Sequence, residues 1–161
     1  MKENTTEVEN LFNQLKDATD KDTILDIENS ILQLWQKTDD PFLNDIIALG
    51  VEQMSNERYK DAIATFSHAL IFNKECAEIF NKRAISYYMR GEFNNAIKDL
   101  KKVLELEPRH FAAMSGLSTI YKELKLEKHT LAMLHKLLLI VPNKKGLTSQ
   151  AKSLRKKIKS N

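Results

Sequence analysis

Residues 77–110 read AEIFNKRAISYYMRGEFNNAIKDLKKVLELEPRH, and this stretch decides the fold. Bulky and small apolar residues recur at helical spacing on both sides of Gly91. Phe80, Ala84 and Tyr87 precede it; Phe93, Ala96, Leu100 and Val103 follow it. Gly91, within Met89-Arg90-Gly91-Glu92, frees the backbone to reverse between two helices. Pro108 cannot continue the second helix and ends it. The stretch predicts a helical hairpin.

The hairpin repeats without gaps. Copies at 43–76 and 111–144 flank it, each 34 residues long. Counted within each copy, position 8 holds Gly50, Ala84 and Ser118, and position 20 holds Ala62, Ala96 and Thr130. Small side chains there let two helices cross closely. Position 24 holds Phe66, Leu100 and Leu134, bulky groups that fill the space beside the crossing. A leucine forced in at Ala96 would overpack that crossing. Some positions depart from the pattern. Gln53 stands where Tyr87 and Tyr121 stand, and Glu127 where Tyr59 and Phe93 stand. Thr130 and Leu137 are larger than their counterparts Ala62 and Ala69, so the third hairpin is expected to sit wider or to shift its register.

This pattern resembles the tetratricopeptide repeat, and the chain as a whole resembles small bacterial proteins of that kind. The resemblance implies an all-α fold: a right-handed superhelical stack of three hairpins at 43–76, 77–110 and 111–144. Around them, 1–42 reads as an acidic, degenerate N-terminal hairpin or cap and 145–161 as a basic C-terminal capping helix. In that family the first helix of each repeat lines a concave groove. Carried over residue by residue, the lining here would be Asn44, Ile47, Val51 and Met54, then Glu78, Asn81, Ile85, Tyr88 and Met89, then Ser115, Thr119 and Lys122. The resemblance implies a protein-protein interaction scaffold that binds a peptide or helix of a partner in this groove. Methionine suits a surface that adapts to its ligand. Tyrosine suits a binding hot spot, and Asn81 suits the backbone of an extended peptide. The alternative is that a flanking helix or the N-terminal segment fills the groove and these apolar residues are core. Chaperone-binding members grip a C-terminal carboxylate with Lys, Asn and Arg. The matching positions here are Ile47, Val51, Lys82, Ala112 and Gly116, which predicts no such grip on an Hsp70 or Hsp90 tail.

The flanks are helical too. Residues 7–18 and 23–37 fit a hairpin whose expected role is to cover the first true repeat, with Asp22 or Thr23 capping its second helix and Trp35 in the junction. Residues 147–159 form an amphipathic helix with Leu147, Ala151, Leu154 and Ile158 on one side and Lys152, Arg155, Lys156, Lys157 and Lys159 on the others. Charge is uneven. Residues 1–42 carry a net −6 and residues 121–161 a net +9, within an overall +3. Such a field steers partners or pairs molecules acidic end to basic end.

Composition narrows the function. With 4 Gly and 3 Pro in 161 residues, an all-β sandwich lacks the turns it needs. One cysteine, Cys76, excludes an internal disulfide framework and a Cys-rich zinc site. The longest apolar run, Leu137 to Val141, is far short of a membrane span. The first residues have no apolar core, so no signal peptide is read there. The cytoplasm is the expected location, with the periplasm as the alternative if a signal peptide had been removed. His68, His110, His129 and His135 have no metal-ligand spacing, and neither a phosphate loop nor a nucleophile elbow occurs. The expectation is no enzyme, no cofactor, no metal and no small-molecule substrate, but an unidentified protein or peptide partner and a monomer or weak homo-oligomer. Membrane binding is disfavoured. Nucleic acid or an anionic surface, bound through the basic C-terminal third, is the alternative. It is disfavoured because no aromatic follows Lys144. A self-associating structural subunit is a further alternative.

Overall fold

The computed structural model describes residues 2–36 and 38–160, and every regular element among them is a helix. They are α1 (Lys2–Asp17), α2 (Lys21–Gln36), α3 (Pro41–Ser55), α4 (Tyr59–Phe72), α5 (Ala77–Met89), α6 (Phe93–Leu106), α7 (Phe111–Glu123), α8 (Glu127–Ile140) and α9 (Leu147–Ser160). None of the described helices is long and apolar enough to cross a membrane.

The period survives in detail. Helices α4, α6 and α8 begin at Tyr59, Phe93 and Glu127 and end at Phe72, Leu106 and Ile140, in step with the 34-residue spacing read from the sequence. The third hairpin therefore keeps its register although Glu127 and Thr130 depart from the pattern. Pro108 and Pro142 follow α6 and α8, yet α4 stops at the matching place before Lys74. Proline marks that end and is not needed to make it.

Each hairpin reverses in the same way. One residue takes the left-handed conformation: Glu57 (φ 58°), Gly91 (φ 72°) and Lys125 (φ 57°), at the same position of each copy. The following backbone N–H then returns to a carbonyl of the helix just ended. Arg58 N–H donates to Gln53 O at 2.8 Å, Glu92 to Tyr87 at 2.9 Å and Leu126 to Tyr121 at 2.8 Å. These bonds satisfy carbonyls that the helix end would otherwise leave open. Only glycine takes this conformation without a Cβ penalty.

The chain divides into two compact units. One, Lys37–Ile120, holds the first two hairpins and most of α7. Its core joins Leu43, Ile47, Phe66, Leu70 and Ile79, with Ala62 and Ala69 fully covered where α3 and α4 cross. The Phe66 ring occupies the place of the side chain Gly50 lacks: a Cβ there would stand 2.5 Å from Phe66 Cε1. Gln53, the missing aromatic of the first copy, instead accepts a hydrogen bond from Thr65 Oγ1 at 2.7 Å. Arg83 ties three helices together. Its Nε and Nη2 donate to the two Asp99 carboxylate oxygens at 2.7 and 2.8 Å, and its Nη1 donates to Ser67 Oγ at 2.9 Å. Such a two-pronged bond fixes orientation as well as distance.

The second unit holds Met1–Gln36 and Tyr121–Asn161. Phe12, Leu15, Ile24, Ile27 and Ile31 are buried between α1 and α2 and their surroundings, and Trp35 is half-buried with its ring 5.9 Å from that of Phe12. The cap of α2 is Asp20, not Asp22 or Thr23. Its Oδ2 accepts from Thr23 N at 2.9 Å and Thr23 Oγ1 at 3.0 Å. These bonds hold the Asp20 carboxyl below the usual aspartate range. The helix thus starts two residues before the sequence reading, and Lys37, expected as its last residue, lies outside the described residues. Within this unit the hairpin's partners are α8 and the turn after it. Asn143 Nδ2 donates to the terminal carbonyls of Lys16 and Ala18 at 3.2 and 3.1 Å. Lys144 Nζ reaches both oxygens of the buried Glu28 at 2.6 and 2.8 Å. The acidic and basic ends of the sequence thus meet inside one chain. On α9, Ala151 is buried and Leu154 and Ile158 are half-buried, while Lys157 pairs with Glu127.

The left-handed turns make a direct prediction. Glu57→Gly removes a Cβ penalty of about 1 kcal/mol and is expected to raise the denaturation midpoint in urea, while Gly91→Ala lowers it.

Candidate functional site

Within the unit Lys37–Ile120, the residues that the sequence places in a groove fall into three groups. Asn44 is committed to the turn before α3: its Oδ1 accepts from Thr38 Oγ1 at 2.8 Å and its Nδ2 donates to Thr38 O at 3.0 Å. Ile47 belongs to the α3–α4 core, and Met54 packs against that same core. Val51 and Met89 are exposed, as is Ser115, and none of the three lines a described cleft.

Glu78 is buried in a network of its own. Ala113 N–H donates to His110 Nδ1 at 3.2 Å, which caps the start of α7. His110 therefore carries its proton on Nε2 and donates it to Glu78 Oε2, 3.2 Å away. Lys82 Nζ stands 3.3 Å from the other carboxylate oxygen. Burial pushes the Glu78 pKa up. The hydrogen bond from His110 and the charge of Lys82 outweigh it and hold the carboxyl below the usual glutamate range. Sequence reading gave Glu78 a groove position; its partners lie 4 and 32 residues further on and were not legible.

The remaining four come together. Asn81, Ile85 and Tyr88 on α5 face Thr119 on α7 across a cleft of about 170 Å³, with Leu100 of α6 beneath. Ala84, Ala112 and Gly116 leave the space open. At Gly116 a Cβ would come within 3.1 Å of Leu100 Cδ1. Tyr88 is held by stacking on Phe93, centroids 5.7 Å apart. Ile85 is 42% exposed and forms the lip. Asn81 is only 5% exposed, yet its side-chain amide has no hydrogen-bond partner among the described residues. Among the described residues no fully buried side-chain nitrogen or oxygen lacks a partner, so the amide is the part of Asn81 that stays open to the cleft. Sequence reading missed Ala84, Leu100 and Ile120 as lining. It met Ala112 and Gly116 as positions of the carboxylate grip.

Lys122, the last of the expected groove residues, lies past Ile120 on α7 and lines a different cleft, with α8 and α9, in the other unit. Among the described residues no group of His, Cys, Asp and Glu could hold a metal ion. Cys76 is a free thiol whose pKa burial pushes up, so it is no activated nucleophile.

Comparison with known proteins meets this geometry at its centre. The family model of the tetratricopeptide repeat matches residues 77–110, the stretch that supplies α5, α6 and most of the cleft wall. A TPR repeat-containing protein of Rhizobium etli is 27% identical over 154 residues, covering 96% of this chain and 76% of its own. Residues 77–110 are a tetratricopeptide repeat, and the chain along nearly its whole length is similar to a protein of such repeats. Human sperm-associated antigen 1 is 31% identical over 107 residues, 66% of this chain but 11% of that protein's length. Among solved structures, the first tetratricopeptide domain of Spaghetti (RPAP3), bound to the HSP90 peptide SRMEEVD, superposes with a TM-score of 0.66 at 16% identity, covering 72% of this chain and 92% of that one. Likeness at that identity is likeness of fold. The tetratricopeptide fold supports a role as a protein-protein interaction adaptor.

The buried Glu78 predicts how this repeat protein responds to acid. A carboxyl whose pKa is lower folded than unfolded adds stability while it is ionised in the unfolded chain, and that stability fades as the pH falls through the folded value. Thermal melts of the wild type should therefore weaken as the pH drops below about 4.3, the ordinary glutamate value. Glu78→Gln should start less stable near neutrality and show a flatter acid limb.

Proposed function

We propose that this protein is a non-enzymatic adaptor that holds an extended segment of a partner at the α5–α7 cleft. One apolar side chain of the segment fills the cleft, and Asn81 bonds the backbone beside it. The observation that carries this reading is the Asn81 amide: nearly buried, without a partner, and open to an apolar hollow. An amide that reaches the cleft and is not engaged by the protein is free to bond, and a peptide backbone offers it both a donor and an acceptor. The size of the hollow supports one side chain rather than a small-molecule substrate. An apolar cavity of about 150 Å³ takes one benzene ring, whereas ligand pockets usually start near 300 Å³.

The same walls argue against a carboxylate grip of the kind the family resemblance offers. Ile47 is core, Val51 is apolar, and Lys82 is engaged by Glu78. Ala112 and Gly116 stand where that grip needs cations, and here their small side chains make the hollow. A steric fill and a polar deletion test the reading together. In fluorescence anisotropy, nine-residue peptides varied at one central position should favour Leu, Met or Phe there. Affinity should fall roughly tenfold in Asn81→Leu, which removes the hydrogen bonds at similar volume. Gly116→Leu, which fills the hollow, should fall at least as far, with melts confirming that both variants fold. Equal affinity in all three proteins would sink the proposal. Tight binding of the peptide SRMEEVD that disappears in Lys82→Ala would reinstate the carboxylate grip.

A further inference from the structure

We infer that the cleft between the end of α7, the start of α8 and α9 is a second docking site, for an acidic segment of a partner protein that carries an apolar anchor residue. The site lies wholly in the unit that holds residues 121–161 and shares no lining residue with the α5–α7 cleft. It is larger, about 500 Å³, enough for several side chains. Its floor is apolar: Leu134 of α8 is buried and Leu154 of α9 half-buried. Its rim is cationic, with Lys122 and Lys125 on one side and Lys157 on the other. Glu127 pairs with Lys157 and neutralises it. Lys122 and Lys125 are exposed and have no ion-pair partner among the described residues.

The chemistry selects among anions. Two unpaired ammonium groups above a leucine floor complement carboxylates placed on either side of an apolar side chain. The lysines supply orientation and encounter rate, and the leucines supply the buried area. The charge of the surrounding chain acts in the same sense, since residues 121–161 carry a net +9. Single-stranded nucleic acid fits poorly, because its bases need aromatic faces to stack on and the cleft lining contains no aromatic residue. A bilayer surface fits poorly as well. A concave floor cannot be laid against a flat sheet of headgroups, and the leucines that would have to insert lie below the lysine rim. None of the five positions of the family's carboxylate grip belongs to this cleft.

The probe is a fluorescein-labelled nonapeptide with one central Leu and Asp or Glu at the other positions, followed by anisotropy at near-physiological salt. The expected result is saturable binding to the full chain. Lys122→Gln with Lys125→Gln should weaken it roughly tenfold, as should replacing the peptide's central Leu by Ser. Lys98→Gln with Lys101→Gln, an equal loss of charge on the exposed side of α6, should leave it unchanged. The Lys122 and Lys125 side chains have no ion pair to lose, glutamine keeps a Cβ at the left-handed turn as lysine does, and a melt of that double variant matching the wild type shows that a loss of binding is local. The inference is overturned if the two double variants weaken binding alike, or if the Ser peptide binds as well as the Leu peptide. Either result reduces the cleft to diffuse charge. It is also overturned if an oligothymidylate displaces the peptide at equal concentration, which would make the surface a nucleic-acid site. Peptide binding that fails while sedimentation shows self-association abolished by Lys122→Gln with Lys125→Gln would assign the cleft to a second copy of the chain.

Discussion

Two helices can pack at close range only if the chain between them reverses in very few residues, and within each of the three 34-residue copies the reversal passes through one residue held at positive φ. Glu57, Gly91 and Lys125 hold that place 34 residues apart, and the bond from Arg58, Glu92 or Leu126 back to the preceding helix locks it. Once the turn is fixed, the second helix has to start at Tyr59, Phe93 or Glu127. Its buried face then falls on Ala62, Ala96 or Thr130 whatever else the sequence does. This explains why the third hairpin tolerates a charged first residue and a threonine at the crossing without losing step. Glycine is the unstrained choice for the turn, and two of the three copies do without it. The packing behind the turn must therefore outweigh the local strain.

The α5–α7 cleft follows from the same economy of side chains. Close crossings need small residues, and Ala84, Ala112 and Gly116 extend that smallness along the wall of the cleft. The result is a hollow floored by Leu100 and edged by Tyr88 and Ile85. The neighbouring Glu78–His110 pair and the Arg83–Asp99 fork brace α5 against α7 and α6. A hollow on rigid walls loses little entropy when a ligand enters it. A cleft of this kind offers fit and one amide rather than charge.

Much of this was legible in the sequence, and the division is physical. Periodicity reports which face of a helix is covered, so Phe66, Ala96, Leu100 and Val103 could be placed in the core from spacing alone. Spacing cannot report which distant group a polar side chain meets. Asn44, Glu78 and Lys122 occupied groove positions by count. In the structure, one holds a turn, one is buried against a histidine 32 residues away, and one lines another cleft. Asn81, a polar residue at an otherwise apolar position, was the useful anomaly, because its amide is left open to the cleft without a protein partner. The capping of α2 by Asp20 rather than Asp22 or Thr23 shows the familiar slack at helix ends, where several residues with suitable side chains compete.

The charge asymmetry had two readings, a field for partners or a link between molecules, and the structure adds a link within the chain. Asn143 closes the end of α1, and Lys144 reaches Glu28 across 116 residues of sequence. These contacts order events during synthesis. A ribosome releases the α1–α2 hairpin well before the groups that fasten it, since Lys144 follows Glu28 by 116 residues. The central hairpins, whose contacts are mostly local, can mature as they appear. The α1–α2 hairpin is thus fastened after the central hairpins that follow it in sequence, and until then its acidic helices wait in reach of whatever chaperones attend the exit tunnel.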